Sequence, residues 1–119
     1  METMTMILST APYGDERIWN ALRLAQALVA GAEKTKLNIF LTGDAVATAK
    51  KGQKPPEGFY NLEKMLRELI NARVEVVACR TCINARGLSQ QELIEGIRVG
   101  TTVSDLVGWV RTSQKVLSF

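Results

Sequence analysis

NLEKMLRELINARVEVVACRTC, Asn61 to Cys82, is the stretch whose reading decides the fold. In its first half Leu62, Met65, Leu66, Leu69 and Ile70 recur at the spacing of one helical face, and Asn61 stands where a side-chain cap is wanted. In its second half Arg73 to Ala78 (RVEVVA) is dense in β-branched residues, reads as a strand, and ends directly at Cys79. An amphipathic helix feeding a short buried strand with hardly a turn between them is half of a βαβ unit. The first question is whether the rest of the chain repeats it.

It does on both sides. Thr3 to Thr10 (TMTMILST) is a first strand, and the loop APYGDE leads into a helix with Ile18, Ala21, Leu22, Ala25, Leu28 and Val29 on one stripe. Gly31 occupies the position of a left-handed C-cap, and Leu37 to Thr42 is a second strand that ends at Gly43-Asp44. Ala45 to Lys51 reads as a short helix. Beyond the cysteines, Leu88 to Glu95 reads as a short helix capped by Ser89, and Gly96 to Val99 as an edge strand. Thr102 to Thr112 reads as a helix with Val103, Leu106, Val107 and Val110 inward, and Lys115 to Phe119 as a last strand. The pattern predicts one α/β domain over 1–119 with a mainly parallel sheet of about five strands.

Strands joined by helical crossovers are parallel, and the crossovers are right-handed, so the C-terminal ends of the strands share one edge. Open sheets of this kind bind ligands there. Tyr13, Asp15, Asp44 and Cys79 leave the first three strands and are expected to converge on that edge, with the CRTC pair in a loop.

Composition narrows the chemistry. With 46% hydrophobic residues and a domain-sized length of 119, the chain needs neither a disulfide nor a metal in order to fold. The balance of 15 Lys and Arg against 12 Asp and Glu, a net +3, is too small for a dedicated nucleic-acid binder. The basic run AKKGQKPPEG, Ala49 to Gly58, reads as a solvated loop, with docking of an acidic partner as the alternative. No apolar run approaches the roughly 18 residues of a membrane span, and Met1 to Thr10 lacks the marks of a secretory signal, so a cytoplasmic protein without membrane contact is expected. No phosphate-binding glycine motif follows a strand, and no cofactor is implied.

The chain has no histidine, which removes Ser-His and Cys-His pairs. Cys79 and Cys82 supply only half of a tetrahedral zinc shell, so no metal is expected. Two chemistries remain open, a redox pair and a nucleophile. In the second, Arg80 and Arg86 would stabilise a thiolate if they fold back over the pair. Each candidate also has a purely structural reading: Cys79 and Cys82 as small buried residues, Tyr13 and Asp44 as groups that satisfy backbone at a turn or cap. Trp19 and Trp109, on the flanks of their helical stripes, suit core edges or a subunit interface.

APYGDERIWNALRLA, GQKPPEGFYNLEKML, CRTCINARGLS and the closing KVLSF, in that order, resemble the DsrE/DsrF-like family and within it the YchN-like branch. The resemblance spans nearly the whole chain. It implies a three-layer α/β/α sandwich, assembly into a homotrimer or homohexamer, and cytoplasmic sulfur transfer between donor and acceptor proteins. In sulfur-relay members the working cysteine stands eight residues before the glycine of an Arg-Gly pair, which here is Gly87 and points to Cys79. Cys82 matches a second cysteine of the branch. The implied activity is that of a persulfide carrier, with the sulfane sulfur on Cys79. Arg80 and Arg86 would steady the anion, Tyr13 and Asp44 would shape the pocket mouth, and Cys82 would release sulfur by forming a disulfide. A thiol-disulfide redox protein using both cysteines and a non-catalytic binding or scaffold oligomer are the rival readings.

Overall fold

The computed structural model describes residues 1–119. Strand β1 (Glu2–Leu8) is followed by helix α1 (Arg17–Ala30), strand β2 (Thr35–Leu41), a 3-10 turn (Gly43–Ala49) and helix α2 (Leu62–Asn71). Then come β3 (Glu75–Cys79), α3 (Arg80–Ala85), a short 3-10 turn (Gln90–Glu92), β4 (Arg98–Gly100), a π-helical turn (Thr102–Leu106), α4 (Val107–Thr112) and β5 (Lys115–Ser118). The 5-stranded sheet has the order β4-β3-β2-β1-β5, and every pairing is parallel.

This order fixes the layers. The chain moves one way across the sheet from β1 to β4 and then returns past β1 to β5. Right-handed crossovers therefore put α4 on the face opposite α1 and α2. Register agrees: Thr5 pairs with Asn38 and Val116, so these side chains share a face, and Thr5 Oγ1 lies 2.8 Å from Ser113 Oγ at the end of α4. The other face, with Met4, Met6, Leu8, Leu37, Ile39 and Leu41, packs under Ile18, Ala21 and Leu22 of α1 and Leu62, Leu66 and Leu69 of α2. Leu66 is fully buried, so Leu66→Ala would cost about 2–5 kcal/mol through lost transfer energy and the cavity left behind.

Several boundaries depart from the sequence reading. Gly31 is extended (φ −69, ψ 164) and not left-handed. The left-handed cap belongs instead to α2, where Arg73 has φ 71. The Arg73 N–H bonds Ile70 O and the Val74 N–H bonds Leu69 O, a six-residue cap closed without glycine. Strand β3 accordingly starts after this turn. Leu88 to Glu95 is only a single 3-10 turn, although Ser89 caps it as expected, its backbone and hydroxyl both donating to Glu92. The short helix read at Ala45 to Lys51 is likewise a 3-10 turn, Gly43–Ala49, with Ala45, Val46 and Ala49 buried and Lys50 already extended.

The largest correction concerns Thr102 to Thr112. The segment begins as a π turn, capped by Thr101 Oγ1 accepting from the Ser104 N–H at 2.9 Å. Leu106 and Trp109 lean on the core, while Val103, at 84% exposure, and Val107 and Val110, about two-fifths exposed, face outward. The apolar stripe exists, but it is the outer one.

Candidate functional site

The CRTC pair sits at a strand–helix junction and not in a loop. Cys79 is the last residue of β3 and the N-cap of α3, and Cys82 lies one turn into that helix. Both thiols are reduced, with Cys79 buried and Cys82 half-buried. Cys79 still has extended backbone (φ −62, ψ 122), and Cys82 is the third residue of the helix it caps.

Because β2 pairs with β3, the loop leaving β2 lies beside the loop leaving β3 at the shared C-terminal edge. Thr42 and Gly43 are brought to Cys82 in this way. The Gly43 N–H donates to Cys82 Sγ at 3.2 Å, and Thr42 Oγ1 lies 3.7 Å from the same sulfur. Gly43 has φ +56, a left-handed conformation that suits glycine, and the preceding residue is pinned by the Thr42 N–H to Leu8 O at 2.9 Å. Burial pushes the Cys82 thiol upward, but the Gly43 N–H, the neighbouring Cys79 thiol, the Thr42 hydroxyl and the Arg86 charge outweigh it together, so the thiol is more acidic than usual.

Arg86 and Asp44 meet at this edge too. Arg86 Nη2 bonds Asp44 Oδ1 at 2.8 Å, and its Nη1 donates to the Cys82 carbonyl at 3.1 Å. The ion pair clamps α3 to the 3-10 turn after β2. Arg86 is thus already paired, and its charge is the smallest of the influences on Cys82.

Tyr13 and Arg80 take other positions. The Tyr13 hydroxyl accepts from the Leu62 N–H at 3.2 Å and faces Tyr60 O at 3.5 Å, so it braces the start of α2. Its ring stacks on Tyr60, and Tyr60 stacks on Trp19 at 4.9 Å between centroids. Tyr13 also borders a cleft of about 350 Å³ with Lys54, Pro55, Pro56 and Phe59, which neither cysteine lines. Arg80 lines a separate cleft of about 610 Å³ along β4, with Ile83, Asn84, Gln90 and Arg98. Asp15 bonds the Arg17 N–H at 2.8 Å at the entry to α1. The edge therefore gathers Cys79, Cys82, Asp44 and Arg86, and adds Thr42, which the sequence reading placed at the end of the second strand, and Gly43, where that strand was read as ending. Adjacency of β2 and β3 was the signal that could have found them.

The sequence profile of the DsrE/DsrF-like family matches residues 3–119. Protein YchN of Escherichia coli is 42% identical over 119 residues, covering all of both chains. An uncharacterized protein of Methanopyrus kandleri is 44% identical over 120 residues, covering 100% of this chain and 95% of its own length. The crystal structure of the E. coli YchN protein superimposes with a TM-score of 0.93 over the full length of both chains. A protein of unknown function from Methanobacterium thermoautotrophicum, at 16% identity and a TM-score of 0.82, shares the fold. With a family match across nearly its whole length, the chain belongs to the DsrE/DsrF-like family.

Proposed function

We propose that this protein is a cytoplasmic sulfur-relay protein that carries sulfane sulfur as a persulfide on Cys79. Its family is associated with sulfur relay, and the observation that carries the reading is the convergence of two reduced thiols and an N–H donor at the C-terminal edge of the sheet. Sulfur exchange between thiols needs no cofactor. A buried sulfur such as Cys79 is shielded from stray oxidants, and Arg86 with Asp44 stiffens the helix that presents it.

The test is intact-mass and peptide-mapping spectrometry after incubation with a persulfide donor. One added sulfur on Cys79, lost in Cys79→Ser, is expected. Loading that survives that change sinks the assignment. The placement of both free thiols at one strand–helix junction favours one rival, a thiol-disulfide redox protein. In that case the incubation would yield an internal disulfide and no added sulfur.

Self-association belongs to the same proposal. Val103, Val107 and Val110 form one exposed apolar stripe, and a second copy of the chain, in a trimer or hexamer, is the partner we assign to it. Trp19 and Trp109 are half-buried and offer less surface for such contact.

A further inference from the structure

We infer that Cys82 is the thiol of the pair prepared to ionise and serves Cys79 as its proton acceptor. This deepens the proposed function and rests on it. The geometry carries it: Cys82 Sγ, and not Cys79 Sγ, receives the Gly43 N–H at 3.2 Å and sits 3.7 Å from Thr42 Oγ1. Hydrogen bonds to sulfur favour the anion over the thiol, and the Cys79 thiol beside it acts in the same direction. The charged and titratable groups around Cys82 are Cys79 on β3, Arg86 on α3, and Asp44 on the turn after β2, the last two joined to each other.

The cycle closes without an oxidant. Cys79 sulfur forms a bond to the outer sulfur of a donor persulfide R–S–SH, the donor S–S bond breaks, and R–S⁻ leaves with the electron pair. The Cys79 proton passes to the Cys82 thiolate, giving Cys79–S–SH and Cys82–SH. On delivery an acceptor thiolate R′–S⁻ takes the outer sulfur as R′–S–SH, and the departing Cys79 sulfur recovers its proton from Cys82. One charge and one proton are conserved in each half, and neither cysteine is oxidised. Cys82 acts here as a proton store and not as a resolving thiol that forms a disulfide.

The experiment combines two readouts on wild type, Cys79→Ser, Cys82→Ser and Thr42→Val. The first is ultraviolet thiolate absorbance against pH. The second is the pH profile of sulfur loading onto Cys79 from glutathione persulfide. The thiolate titration that lies below the ordinary thiol range should persist in Cys79→Ser and vanish in Cys82→Ser. Loading in Cys82→Ser should slow by about a hundredfold, the scale of a lost general base, and recover as pH rises. Thr42→Val keeps both thiols and should move the thiolate titration to higher pH. An unchanged loading profile in Cys82→Ser, a thiolate signal that follows Cys79, or an unmoved titration in Thr42→Val would each overturn the inference. If wild type takes up no sulfur, the proposed function fails, and the absorbance readout alone decides which thiol holds the charge.

Discussion

Asp105 offers the most quantitative test of how the outer helix is held. Its carboxylate takes Arg98 Nη1 at 2.6 Å, the Thr101 N–H at 3.0 Å and the Ser104 hydroxyl at 2.8 Å, tying the end of β4 to the π turn that leads into α4. These bonds, Arg98 first, hold the carboxyl at about 2 against an ordinary value of 3.8. A difference of that size corresponds to about 2 kcal/mol of stability at neutral pH before screening. The Asp105 side chain is 12% exposed but its Arg98 partner is 53% exposed, so solvent screening reduces the contribution. About 1–2 kcal/mol remains.

The sign follows from the direction. A carboxyl whose folded value is depressed adds stability that is complete above its unfolded value and is lost as pH falls toward about 2. Asp105→Asn should therefore lower the Tm near neutral pH by about 4–8 °C, using the entropy of unfolding expected for a chain of this length. Circular-dichroism melts at fixed protein concentration would follow the gap between wild type and variant, which should close as the pH approaches the folded value. A gap that stays constant across that range would show that Asn fails for reasons of shape, and the electrostatic account would fall.

Three further outcomes are expected. Gly96→Ala places a methyl group 2.8 Å from Ile70 Cγ2 at a position with φ +95, and urea unfolding should show a loss of about 1–3 kcal/mol; wild-type stability would mean that Ile70 yields without strain. Tyr13→Phe removes the acceptor of the Leu62 N–H but keeps the stacking on Tyr60, and should cost about 0.5–1.5 kcal/mol in the same assay. Val107→Glu puts a charge in the middle of the exposed stripe, and light scattering should then report the mass of one chain where wild type reports a trimer or hexamer; a wild-type protein that is already a single chain refutes the assembly.

The sheet was legible because its strands are short, β-branched and bounded by amphipathic helices whose faces are marked without ambiguity, as in Leu62, Leu66 and Leu69. Caps were less legible. A left-handed C-cap was sought at a glycine, yet Arg73 adopts it, because the paired backbone bonds of the closing turn offset the cost of φ 71 in a residue with a Cβ. The outward turn of Val103, Val107 and Val110 was hidden for another reason. Periodicity identifies an apolar stripe but not what covers it, and here Leu106 and Trp109 already cover the sheet.

The site divides along the same line. Cys79, Cys82, Asp44 and Arg86 could be named because their side chains announce chemistry and the topology brings their loops together. The group that contributes most to the Cys82 anion is a backbone N–H, which every residue but proline carries and no residue letter reveals. This matters for the proposed carrier. A thiolate held mainly by a nearby arginine would sit in a field of net positive charge. Here the arginine is paired with Asp44, and the sulfur leans first on an amide beside the pairing of β2 with its neighbours. Such an amide favours the anion without adding net charge. In the proposed carrier, sulfur would then move in either direction according to the acidities of donor and acceptor. Register between β2 and β3 thereby becomes a chemical variable: a shift that preserves both cysteines but withdraws the Gly43 N–H would leave the pair present and the charge misplaced.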